Sequence, residues 1–317
     1  MMKKILFSIF TLAVWAGCSG NPDDPEPTSP PTPPTPEPVA IELSAGVDAI
    51  TKAAVGEGTP VTVQVEGWEN ASAETYGGLS TWQSTASVAA NAQAGAIALT
   101  PAQYYHADEN TKTYIKAWYP AVAAVGGTVS FKDGENGYQG DGTDDVLFAS
   151  EVFGTKSNPV GSPLQFAHVT TQLSFSVKKG TGLAEGTRIK TIRLQGGAVP
   201  SSIVLAANSV GFTAKELDVR VSPAEITETA AQAGIPLMVA PTTDNATLTL
   251  YVETTMDGED VADVYDPITI APDSGEGFQA GKAYAVELTF GQSGVSVQAS
   301  ITPWNDPKNN AGSVTVQ

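Results

Sequence analysis

KAYAVELTFGQSGVSVQASIT, residues 282–302, decides the fold class. Tyr284, Val286, Leu288 and Phe290 alternate with smaller or polar residues, Gly291 to Gly294 turn the chain, and Val295, Val297, Ala299 and Ile301 return on the same period of two. A period of two puts successive apolar residues on one face of a strand, and a glycine-bounded link this short joins only antiparallel neighbours. The stretch is therefore a hairpin with one face to bury, and a sheet in that position needs a second layer against it.

The same pattern recurs in TQLSFSVKK (171–179), RIKTIRLQG (188–196) and TLTLYVET (247–254). Short alternating runs punctuated by glycine predict an all-β protein of sandwich type. Only SPAEITETAAQA (222–233) reads as a short helix, opened by Ser222 and Pro223. SNPVGSP (157–163) is built of turn residues and divides an earlier half from a later one, which places the expected domains at 39–160 and 161–317.

Composition agrees and excludes some functions. The 317 residues carry 16 Lys and Arg against 34 Asp and Glu, a formal charge of −18, so a nucleic-acid phosphate backbone would meet repulsion. The single cysteine, Cys18, permits no intrachain disulfide and no cysteine-based metal site. It follows a basic pair, Lys3 and Lys4, and an apolar run, Ile5 to Trp15, too short to span a bilayer as a mature helix. Residues 1–17 read as an export signal, and Ala16-Gly17-Cys18 resembles a bacterial lipobox with Cys18 as the lipid attachment point. Residues 18–38 hold nine of the 22 prolines, which block sheet pairing and form an extended stalk.

Directly after the stalk comes VAIELSAGVDAITKAAV, residues 39–55. Val39, Ile41, Leu43, Ala45, Val47 and Ala49 alternate as one face of a strand, and the lone base Lys52 follows.

Chemistry is thinly supplied. His106 and His168 are far apart, and neither lies in a nucleophile elbow or beside an oxyanion-hole loop; each reads as a hydrogen-bonded histidine at a strand edge or sheet corner. The acidic loops 132–146 and 256–266 lack the EF-hand order and read as solvated turns, with calcium binding left open. Trp68, Trp82, Trp118 and Trp304 read as core or as sugar-stacking platforms. No cofactor and no catalytic residue is expected.

Several segments in order resemble the fimbrillin family, the subunits of type V pili of Gram-negative anaerobes. They are the lipobox at Cys18, the strand followed by TKA (51–53), KAWYPA (116–121), TDDVLFAS (143–150), LQFAHVTTQLSFSV (164–177), and FQAGKAYAVELTF with VSVQASITPW (278–304). The resemblance implies two tandem transthyretin-like β-sandwich domains and no enzymatic activity. It implies a precursor held by lipid on the outer membrane, cut between Lys52 and Ala53 by a trypsin-like protease, and polymerised with other pilus subunits into a fimbrium for adhesion to a host or bacterial surface ligand. Residues 39–52 would be the removable strand. The segment NNAGSVTVQ (309–317), with Val314 and Val316 on one side, would be the donor. The alternatives are a surface-anchored glycan-binding lipoprotein and a non-polymerising anchor or tip subunit of the same pilus.

Overall fold

The computed structural model describes residues 37–47, 60–89, 93–222, 224–256, 262–272, 275–292 and 294–302, with the side chains of 298–302 left aside. The chain divides into residues 1–37 and a compact unit, Pro38–Gln317, to which everything below refers. Among the described residues there is no helix and there are twenty-one strands. The earlier ones are β1 (Leu43–Val47), β2 (Pro60–Asn70), β3 (Trp82–Ala89), β4 (Gly95–Ile97), β5 (Lys112–Tyr119), β6 (Thr128–Ser130), β7 (Leu147–Ala149), β8 (Val152–Gly154) and β9 (Leu164–His168). The later ones are β10 (Thr171–Lys179), β11 (Thr187–Gln195), β12 (Ala198–Val204), β13 (Ser209–Ala214), β14 (Leu217–Val219), β15 (Ala231–Gln232) and β16 (Leu237–Val239). They continue with β17 (Leu248–Met256), β18 (Ala262–Val264), β19 (Ile268–Ile270), β20 (Ala283–Gly291) and β21 (Gly294–Thr302).

The opening stretch forms the expected hairpin: β20 and β21 pair antiparallel from Ala283↔Thr302 to Gly291↔Gly294. In the later half, one sheet runs β15-β10-β20-β21 with β16 also on β10, and another runs β14-β11-β17-β18 with β19 also on β17. Leu173, Phe175 and Val177 of β10, Ile189, Ile192 and Leu194 of β11, Leu250 and Val252 of β17, and Val286, Leu288 and Phe290 of β20 share one core. Period-two burial on each strand brings these residues to one interior.

The earlier half is one sheet in the order β3-β2-β5-β7-β9-β1-β4, with β8 also on β5. It curls until its ends meet: Thr85 of β3 and Thr100, just beyond β4, exchange backbone hydrogen bonds of 2.9 and 2.8 Å. Val61, Val63, Val65, Ile115, Ala117, Leu164 and Phe166 fill the space so enclosed. The strand after the expected boundary at 160/161, β9, bonds to β7 and β1 and so belongs to this sheet.

Strand β5 is buried at every position from Thr113 to Trp118, because both of its faces are covered. Its second face carries Tyr114, Lys116 and Trp118, beneath a small sheet β13-β12-β6 that joins residues of both halves.

The helix expected at 222–233 does not form. Ile226 is the only large apolar residue in that window, too little to hold a helix against a core. The chain runs extended along two strands instead: Ile226 N donates to Thr187 O at 2.8 Å, Lys179 N donates to Thr227 O at 2.6 Å, and residues 231–232 pair with β10.

Candidate functional site

The site is the seat of β1. This strand lies between two neighbours, antiparallel to β4 (Leu43↔Ile97, Ser44↔Ala96, Ala45↔Gly95) and parallel to β9 (Ala45↔Leu164, Gly46↔Gln165, Val47↔Phe166). Before β1 the chain stays hydrogen-bonded, Ile41 N donating to Gln103 O at 2.8 Å and Tyr105 N to Val39 O at 3.0 Å. Ile41, Leu43, Ala45 and Val47 point into the enclosed core, while Glu42 is exposed and Ser44 half-buried, as the alternation predicts.

The seat has a floor and two rims. Its floor comprises Val63 and Val65 of β2, Val88 of β3 and Ile115 of β5, with Leu147 of β7 beside them. One rim is the β9 edge with Leu164 and Phe166, and the other is β4 with Ile97. Tyr105 braces the outer end, its hydroxyl accepting the Val160 amide at 2.8 Å; burial pushes that phenol's pKa up, against the opposing effect of this bond. Burying a Leu, Ile or Val side chain stabilises by about 1.5–3 kcal/mol. The three such residues of β1 and its approach therefore contribute several kcal/mol between them.

If β1 were withdrawn, the β9 edge would lose its paired amides and carbonyls and the seat would open onto an apolar trough. Both are conditions that favour capture of another strand. The parallel pairing with β9 leaves no local signature, since alternation fixes which face is buried but not the neighbour.

Of the residues singled out in the sequence, Cys18, Lys52, Ala53, Val314 and Val316 lie outside the described residues, as do the acidic stretch 257–261 and Trp304. Lys52 follows Val47, the last residue of β1, by five positions.

The other candidates are accounted for by local contacts. Trp118 and Trp68 are buried, so neither offers a sugar-stacking surface; Trp82 is half-buried and lies across Gly67, its register partner. In the acidic loop 132–146, Asp133 pairs with Lys215 at 2.7 Å, Asp141 pairs with Arg220, and Asp144 accepts the amides of Gln139 and Gly140. Among the described residues no group of three or more metal-ligating side chains gathers.

His106 is exposed and accepts the Asp108 amide in a turn. His168, at the end of β9, is buried, its Nδ1 lying 2.7 Å from Asp145 Oδ2, and Thr170 Oγ1 donates to the other carboxylate oxygen at 3.3 Å. That dyad braces the passage from β9 to β10. Its histidine could be read as a hydrogen-bonded edge residue, but its partner, 23 residues earlier, could not be read from the sequence.

A model of the fimbrillin-like family matches residues 50–304. No curated protein matches the chain. Solved structures do. A candidate cell-adhesion protein from Bacteroides uniformis is 19% identical, covering 84% of this chain and 99% of that one with a TM-score of 0.54. One from Parabacteroides distasonis is 10% identical over 86% and 98%, also with a TM-score of 0.54. A fimbrial protein from Bacteroides vulgatus is 14% identical over 83% and 99%, with a TM-score of 0.50. At these identities the likeness is one of fold.

Proposed function

Because the chain belongs to the fimbrillin-like family, we propose that it is a structural pilus subunit whose first strand is a temporary plug. The precursor is exported as a lipoprotein through Cys18, held on the outer membrane by its proline-rich stalk, and cut after Lys52 by a trypsin-like protease. Loss of residues 39–52 vacates the seat between β9 and β4, and a strand from a neighbouring subunit, offered by residues 309–317, takes it. The fimbrium so built serves adhesion.

The observation that carries this reading is the position of β1. It is a short strand inserted between two others, its apolar side chains buried at alternate positions, just upstream of a base that a trypsin-like enzyme accepts. Strand replacement suits the seat because the backbone edge supplies affinity for any extended segment while the apolar trough selects the side chains.

The test is brief trypsin treatment of the purified, unlipidated protein. Cleavage after Lys52 is expected to yield a ladder of polymers, and Lys52→Ala is expected to stay monomeric. Clean cleavage without polymer would refute the reading in favour of a non-polymerising anchor or tip subunit.

A further inference from the structure

The face of β2 and β5 turned away from the seat of β1 encloses two charged side chains. Glu66 and Lys116 stand directly opposite each other in the β2–β5 register and are 0% and 1% exposed. Among the described residues neither has an ion-pair partner. Glu66 Oε1 accepts the Ala124 amide at 3.0 Å and Gln64 Nε2 at 3.2 Å. Lys116 Nζ donates to Leu205 O at 2.6 Å and contacts Asn208 Oδ1, 92 residues away at the turn between β12 and β13. It lies 4.2 Å from the Tyr76 ring centroid and 5.7 Å from that of Phe148.

A buried ammonium without a carboxylate is costly, and the usual relief is loss of its proton. Burial lowers the Lys116 pKa, partly offset by the Glu151 carboxylate nearby, while burial raises that of Glu66 against its hydrogen bonds. Desolvation of this kind turns a lysine amine into a nucleophile. The carboxamide it touches belongs to an exposed turn residue, so a small leaving group has a path to water.

We propose that Lys116 and Asn208 become joined by an intramolecular isopeptide bond. The Nζ lone pair attacks Cγ of Asn208 and forms the new C–N bond. The carbonyl electron pair moves to Oδ1 and returns as the tetrahedral centre collapses. A proton from Nζ passes to Nδ2, the Cγ–Nδ2 bond breaks and ammonia leaves. No oxidant or co-reactant is consumed. The product ties β5 of the earlier sheet to the β12–β13 turn of the later half, so tension along the chain would cross between them through a covalent bond. The proposal stands apart from the exchange of β1.

The experiment is intact-mass analysis of the folded, purified full chain, with proteolytic mapping. The expected result is a mass below that of the sequence by one ammonia, with a branched peptide uniting the segments that carry Lys116 and Asn208. Asn208→Ala, a change at an exposed turn, is expected to restore the full mass. A wild-type mass equal to the sequence overturns the proposal. So does the same deficit without a branched peptide, which would mark a succinimide at Asn208-Ser209.

Discussion

Replacing Leu43 by alanine removes most of one apolar side chain from the centre of the plug. Leu43 is 5% exposed and stands opposite Ile97 of β4. Truncating a buried leucine to alanine costs about 2–5 kcal/mol. Because β4 has only three residues and follows β1 at the end of the sheet order, it is free to close part of the cavity, which places the cost at about 2–3 kcal/mol. At about 3 °C per kcal/mol the melting temperature falls by about 6–9 °C. The assay is urea unfolding followed by tryptophan fluorescence, with Glu42→Ala, at the exposed neighbouring position, as a control expected within about 0.5 kcal/mol of wild type. If the loss falls on the seating of β1, spontaneous release of the strand rises by about 30- to 150-fold. A labelled peptide of residues 39–49 should then enter the uncut Leu43→Ala protein faster than the uncut wild type. Leu43→Ala with the stability and peptide uptake of Glu42→Ala would show that β1 does not hold the seat by burial and would refute the reasoning.

Gly67→Ala would place a Cβ 2.1 Å from Cε2 of Trp82, so the indole must leave its position across β2; a loss of about 1–3 kcal/mol and a red-shifted emission are expected. Asp145→Ala removes the acceptor of the buried His168 and Thr170 hydrogen bonds and is expected to cost about 1.5–3 kcal/mol in urea unfolding, with Asp145→Asn costing less. Glu66 has its carboxyl pKa raised above 4.5 by burial, so the folded state keeps a proton that the unfolded chain releases first. The stability from this group is full below that value and is lost as pH rises through the folded pKa. Glu66→Gln should therefore gain on wild type as pH rises from about 4.5 towards neutrality, as read by urea unfolding at several pH values.

Alternation alone made much of the fold legible. β10, β11, β17 and the β20–β21 hairpin fall where period-two runs placed them, since each strand buries one face against a single core. The buried positions of β1 were legible for the same reason. Its partners were not. β9 lies more than a hundred residues downstream and pairs in parallel, a register that only the closed sheet determines.

The small and polar residues of 222–233 suit a helix locally, while the open amide and carbonyl groups of its neighbours draw it into extended pairing. The burial of Lys116 is not legible in TYIKAWY, where both faces are covered and alternation vanishes.

Removal of the first strand is tested most directly by the mass of the N-terminal peptide of this protein in fimbriae sheared from cells. The expected subunit begins at Ala53, without lipid. A fimbrial subunit that begins at Cys18 with its lipid and keeps residues 39–52 would contradict it.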